Sequence, residues 1–175
     1  MAQFSLENFV AAAREAAVCE GPSKATLALM KRTFAQPGSI AANIGAYDKD
    51  DEILFEDSTV SIQYVRFKPG ILVPPHDHQI PAFIGVYQGV EENRLYRVDD
   101  TGLTHVTTKN IGPGDVLSIG PNGIHAVQAL NNEASEAIHV YLGKLTTVER
   151  SLFDWETGAS TPFTDENYNQ LVKHV

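Results

Sequence analysis

A chain of 175 residues with 13 Lys and Arg against 22 Asp and Glu has a formal charge of −9 and no basic stripe able to neutralise phosphates, which excludes nucleic acid and anionic membrane surfaces as expected partners. Its 43% hydrophobic and 9% aromatic content describes one folded domain and not a disordered chain. The lone cysteine, Cys19, rules out an internal disulfide, agrees with a reducing cytoplasm, and is expected to be a buried apolar filler.

The first segment, "MAQFSLENFVAAAREAAVCEG", is not expected to be a signal peptide, because Glu7, Arg14 and Glu15 interrupt its apolar residues. Ser5 is the expected N-cap of a helix carrying Phe9, Ala12, Ala13, Ala16 and Ala17 at helical spacing, stopped by Gly21-Pro22. A second helix, capped by Ser23, places Leu27, Met30 and Phe34 on one stripe and ends at Pro37-Gly38. From about residue 51 the pattern changes to β-branched and aromatic runs separated by turn residues: "EILFED", "TVSIQYVRF", "AFIGVYQG", "NRLYRVDD", "LTHVTTKNI", "DVLSIG", "IHAVQAL" and "EAIHVYLGKL". About eight strands at this spacing predict an antiparallel sandwich or barrel. The tail from Trp155 is expected to wrap the outside or fray, with a short helix around Glu166 to Lys173. The expected organisation is thus a single domain: all-β, with a helical N-terminal preface over 1–45, a barrel over 51–154 and a tail over 155–175. No window is apolar enough to span a bilayer.

The chemistry lies in the β region. In "PPHDHQIPAFIGVYQG", strand alternation lets His76 and His78 project from one face, with Asp77 on the other. An isolated HxH is a weak signal, but "GPGDVLSIGPNGIHAVQALN" adds a tight "PNG" turn that delivers His125 at the start of an alternating strand. Three neutral imidazoles suit Fe, Zn, Ni or Cu, so ligand type alone does not select the metal. In "SEAIHVYLGKL", Ala137, His139 and Tyr141 share one face; alternation by itself shows only that they are buried. His105, in the polar run "LTHVTTK", and His174, in the tail, are assigned no role.

Gly70, the HxH and Gly89, followed by Gly114 and "PNGIH", resemble the two motifs of the cupin superfamily, which implies a double-stranded β-helix, a jelly-roll barrel whose mouth holds a metal. A glutamate usually follows the HxH in that family; Ala82 stands here instead, so the implied site is three-histidine, with open positions for an anionic substrate and dioxygen.

More narrowly, "PPHDHQIPAFIGVYQGVEENRLYR", "GPNGIHAVQALN" and "AIHVYLGKLTTVERSLF" resemble the thiol dioxygenases, the cysteine dioxygenase family, and within it the bacterial mercaptopropionate dioxygenase-like branch. The resemblance implies that His76, His78 and His125 ligate a mononuclear Fe(II), with Ni or Zn as other possible occupants. It makes His139 and Tyr141 the last two members of a Ser-His-Tyr relay in which Ala137 has replaced the serine, Arg150 the clamp for a substrate carboxylate, and Val65 and Phe67 pocket lining. A surface salt bridge with Glu149 is the plain alternative for Arg150, and alternation turns Arg66 outward. Pro81, where relatives often carry a tryptophan, is expected to alter the pocket. The implied activity is oxidation of a small thiol carboxylic acid by dioxygen to its sulfinate, in a monomer or homodimer. Two other readings remain open: a three-histidine iron dioxygenase acting on a non-thiol substrate such as a β-diketone, and a non-catalytic metal-dependent ligand-binding cupin.

Overall fold

The computed structural model describes residues 3–175. Three helices open the chain: α1 (Leu6–Val18), α2 (Pro22–Phe34) and α3 (Pro37–Asn43). Ser5 caps α1, its Oγ accepting from the Asn8 N–H at 3.4 Å. The cap expected of Ser23 is corrected. Pro22 occupies the first helical position, where a missing N–H costs nothing, Gly21 at φ 75° is the cap, and Ser23 lies inside α2. Pro37, expected to stop α2, also opens α3 by the same device. Cys19 is likewise not a core residue. It is exposed, just past the last residue of α1 and off the buried Phe9 and Ala13 face, with its thiol 3.3 Å from the Ala16 carbonyl.

Two antiparallel sheets follow. One is five-stranded in the order β1 (Asp51–Glu56), β2 (Ser61–Phe67), β9 (Ser135–Tyr141), β4 (Ala82–Gln88), β7 (Val116–Ile119). The other is seven-stranded: β11 (Ser160–Pro162), β10 (Ser151–Phe153), β3 (Ile71–His76), β8 (Ile124–Ala129), β5 (Glu91–Asp99) and β6 (Gly102–Ile111) in order, with β12 (Lys173–His174) joined to β3. The chain passes repeatedly between the sheets, giving the jelly roll of a double-stranded β-helix.

Period-two alternation divides the apolar residues of the first sheet between two cores. Ile62, Tyr64, Phe83, Tyr87, Ile138 and Val140 face outward and pack against Phe9, Met30 and Phe34 of the helices, whereas Ala82, Ile84, Val86, Ala137 and Tyr141 face into the barrel. The helical preface therefore covers the back of the sheet that carries His139 and Tyr141. Gly85 permits this docking, because a Cβ there would lie 2.4 Å from Cζ of the buried Phe34 ring.

β3 was hidden by its two prolines. Without their N–H groups, its pairing with β8 shifts register between Val73 and His76, and its pairing with β10 is a single match, His76 with Leu152. The strand ends at His76, so His78 does not share its face by alternation; it lies in the following turn, beside Gln79 at φ 59°. The tail does not fray: β12 pairs with β3, and α4 (Asp165–Leu171), close to the short helix expected there, lies between β11 and β12. Trp155 fixes it, donating from Nε1 to the Leu171 carbonyl at 2.7 Å while Lys173 Nζ sits 4.3 Å from the indole centre. Among the described residues no helix is long and apolar enough to cross a membrane.

Candidate metal centre

β3 and β8 bring His76 opposite His125, and the turn after β3 folds His78 onto both. Ring centroids are 4.4 Å apart for His76 and His125, 5.0 Å for His78 and His125, and 5.1 Å for His76 and His78. One nitrogen from each ring lies within 4.8 Å of the other two. Burial holds all three imidazoles neutral: the His76 pKa is pushed down to about 4, helped by the nearby Arg150 charge, and those of His78 and His125 lie well below the ordinary histidine value. Neutral rings have a lone pair to give, which a metal requires.

Hydrogen bonds set the tautomers. His76 Nδ1 is 2.9 Å from the Pro74 carbonyl, which can only accept, so Nδ1 carries the proton and Nε2 is free to ligate. His125 Nδ1 in turn is 2.9 Å from Asn93 Oδ1, and its Nε2 is buried without a hydrogen-bond partner, as is His78 Nδ1. Convergent, neutral and unsatisfied imidazole nitrogens fit a divalent transition metal. Asp77 supplies no ligand. It points the other way, with Oδ1 accepting from the Ser151 N–H at 2.9 Å, and so ties β10 to the histidine turn. Ala82, fully buried and paired with Tyr141 and Ile119, leaves the triad without a carboxylate.

On the facing sheet, His139 Nδ1 is 3.0 Å from the Tyr141 hydroxyl, which donates to Gln63 Oε1 at 3.2 Å. With the phenol proton directed at Gln63, the bond from His139 runs from Nδ1–H to the phenol oxygen, leaving His139 Nε2 a buried, unpartnered acceptor. Burial lowers the His139 pKa to about 3 and raises that of Tyr141, so imidazole and phenol are both neutral. Ala137, expected from the family resemblance to stand where a serine would complete a relay, is fully buried between Val65 and Val86. The third polar member of the chain is instead Gln63, which β2 places opposite His139.

A cavity of about 530 Å³ opens over these groups, and Val65, Phe67 and Arg150 all line it. Arg150 has no salt bridge with Glu149; its guanidinium lies 4.4 Å from the centre of the Phe163 ring, and Phe163 meets His76 edge-on at 5.6 Å. The pairing of β10 with β11 sets this contact, since the Phe163 N–H donates to the Arg150 carbonyl at 3.0 Å. Arg66 turns to the rim, where it bonds Asp50 at 2.8 Å. Pro81 is not part of the lining; its carbonyl accepts from the Leu142 N–H at 3.0 Å. His174 reaches the rim through β12, and His105 is exposed on β6.

No known protein-family profile matches the chain. Among solved structures it is similar to the DMSP lyase DddQ of Ruegeria pomeroyi DSS-3, at 18% identity and a TM-score of 0.48 over 58% of this chain and 50% of that one. It is also similar to the Cnp3 cupin domain of Schizosaccharomyces pombe, at 12% identity and 0.48 over 58% and 66%. A third likeness is to the oxalate decarboxylase of Bacillus subtilis, with its Mn(II) centres, at 15% identity and 0.46 over 58% and 29%. The matched region spans half the length of the DMSP lyase chain.

Three polar residues of the site have no counterpart among the sequence expectations: Gln63, Asn93 and Glu91. Asn93 is fully buried and orients a metal ligand, and Glu91 occupies the next inward position of β5, its Oε1 accepting from Ser135 Oγ at 3.2 Å. Asn93→Ala removes the acceptor that holds the His125 tautomer. It is expected to weaken metal binding about 10–100-fold, as measured by competition with a chelator; an unchanged affinity would show that Asn93 does not set the ring.

Proposed function

We propose that the protein is an Fe(II)-dependent dioxygenase that oxidises a small thiol carboxylic acid to its sulfinate. The observation that supports this reading best is the placement of Arg150, a guanidinium without an acidic partner among the described residues, in the cavity shared by the three imidazoles and the His139–Tyr141 pair. Iron held by His76, His78 and His125 would supply a Lewis acid that favours thiolate over thiol and brings dioxygen into reaction with it.

The chain's own residues do the rest. Arg150 offers a carboxylate the two-pronged pairing that a planar guanidinium makes best, and its stacking on Phe163 fixes the direction of approach. A carboxylate anchored there leaves the sulfur end of a short acid to face the histidines. Val65 and Phe67 keep water off that end. Tyr141, whose phenol burial keeps protonated, accepts from His139 Nδ1–H and points its one proton at Gln63 Oε1, and it becomes the donor for charge developing on oxygen by turning that proton from Gln63 toward the substrate. Both atoms of dioxygen end on sulfur, whose electrons reduce them, and the thiol proton is released; no external reductant is required.

The test is oxygen consumption by the iron-loaded protein with cysteine, 3-mercaptopropionate and β-diketones. Thiol-dependent uptake with sulfinate as product is expected. Arg150→Met is expected to raise KM for the thiol acid about 10–100-fold with a smaller change in kcat, the loss of a charge-assisted pair. Uptake driven by diketones and not by thiols would replace this reading with the non-thiol one.

A further inference from the structure

The cavity is larger than the smallest thiol acids fill. At about 530 Å³ it falls in the range of pockets that enclose drug-sized ligands, whereas a three-carbon acid reaching from Arg150 to the histidines occupies only the inner end. Beyond that end the walls change character. Phe67, Ile71 and Val73 come from the barrel, and Phe163, Tyr168 and Val172 from the C-terminal segment that β12 and Trp155 hold against β3. Phe163 and Tyr168 stack with ring centroids 6.2 Å apart, presenting a continuous aromatic surface that starts at the Arg150 guanidinium and leads outward. The rim beyond it carries both signs: Asp51 and Asp165 line the mouth together with Arg66 and Lys68, which both engage Asp50, and with His174.

We infer that the site takes a carboxylate with an apolar or aromatic body, its carboxylate on Arg150 and its body on the wall of Phe163, Tyr168 and Val172. This rests on the proposed function only for the thiol; the shape and polarity of the chamber require only the carboxylate and the body. The C-terminal segment is then the specificity element, because it builds half of the apolar wall without contributing a residue to the metal triad.

Binding without turnover tests the inference. Protein loaded with Zn(II) is titrated calorimetrically with propionate and 3-phenylpropionate, neither of which can be oxidised at sulfur. Phenylpropionate is expected to bind at least about 10-fold more tightly than propionate, the effect of removing one phenyl group from water. Tyr168→Ala and, independently, Val172→Ser are expected to shrink the phenylpropionate-to-propionate ratio, and thermal melts of each variant show whether it is folded. Equal binding of the two monocarboxylates, no binding of either, or an unchanged ratio in both folded variants overturns the inference. The outcomes separate from those of the oxygen assay: a phenylpropionate preference without thiol-dependent uptake removes the thiol and keeps the chamber, whereas uptake with mercaptopropionate and no preference does the reverse.

Discussion

His125→Ala is expected to weaken metal binding by more than about 100-fold and to abolish metal-dependent oxygen uptake. Outer hydrogen-bond partners of a metal ligand are already worth about 10–100-fold, and this change removes the ligand together with the partner's purpose. It leaves two imidazoles, one on the end of β3 and one in the following turn, with the β8 side of the site empty. The apo fold bears a smaller cost. Asn93 Oδ1 loses the donor it meets at 2.9 Å, an unpaired buried acceptor costing about 1–3 kcal/mol, offset in part because a desolvated imidazole no longer has to be buried. Metal content after dialysis and chelator competition read the first effect, and denaturant unfolding of the metal-free protein reads the second. His105→Ala is the control, since His105 is exposed on β6, where it bonds Thr108 at 2.9 Å and meets the Tyr96 ring edge-on at 5.6 Å, and it does not line the cavity. One metal per chain held by the His125 variant at unaltered affinity would refute the three-histidine centre.

Which parts of this site were legible in the chain follows from the range of the interactions that make it. The Ser5 cap and the "PNG" turn ahead of His125 are local, and the residues that form them are adjacent in sequence. The inward face of β9 was readable for the same reason, since Ala137, His139 and Tyr141 need only period-two alternation. Asn93 and Gln63 were not. Each reads as an ordinary strand residue, and each acquires its role only through pairing: Asn93 meets His125 across 32 residues of sequence, and Gln63 meets Tyr141 across 78. His78 was found for a reason that does not hold in the fold. Alternation on one strand predicted convergence with His76, yet the rings converge through the turn that follows two prolines. The tail's contribution to the cavity was hidden because segments of two or three residues such as β10, β11 and β12 are shorter than any periodic pattern; only pairing with β3 makes them strands.

The same burial that prepares the histidines for a metal makes the metal-free protein sensitive to acid. His76, His78, His125 and His139 all have pKa values depressed by desolvation, to about 4 for His76 and about 3 for His139. In the unfolded chain each takes a proton near pH 6.5 while the folded protein does not, so stability is fully present above pH 6.5 and is lost as pH falls toward the folded values. His76 and His139 each contribute about 1.4 kcal/mol per pH unit in that window, roughly 4 kcal/mol together between pH 7 and pH 5, and His78 and His125 act in the same direction. Glu91 works in the opposite direction. Burial raises its pKa from 4.5 to about 7, so its contribution is fully present below the unfolded value and is lost as pH rises to the folded one; acidification from pH 7 to pH 5 therefore returns about 2 kcal/mol. The net expectation is a loss of at least about 2 kcal/mol between pH 7 and pH 5, a large fraction of the stability of an ordinary domain. Urea unfolding of the apo protein at the two pH values measures it, and equal stability at both would contradict it. Glu91→Gln isolates the opposing group: it should be the more stable protein at pH 8 and should lose more on acidification, because the four histidines then act without compensation. Saturating metal adds stability at neutral pH by binding only the folded state, and gives that increment up as protons displace it from the imidazoles, so the loaded protein should show the steeper acid transition of the two.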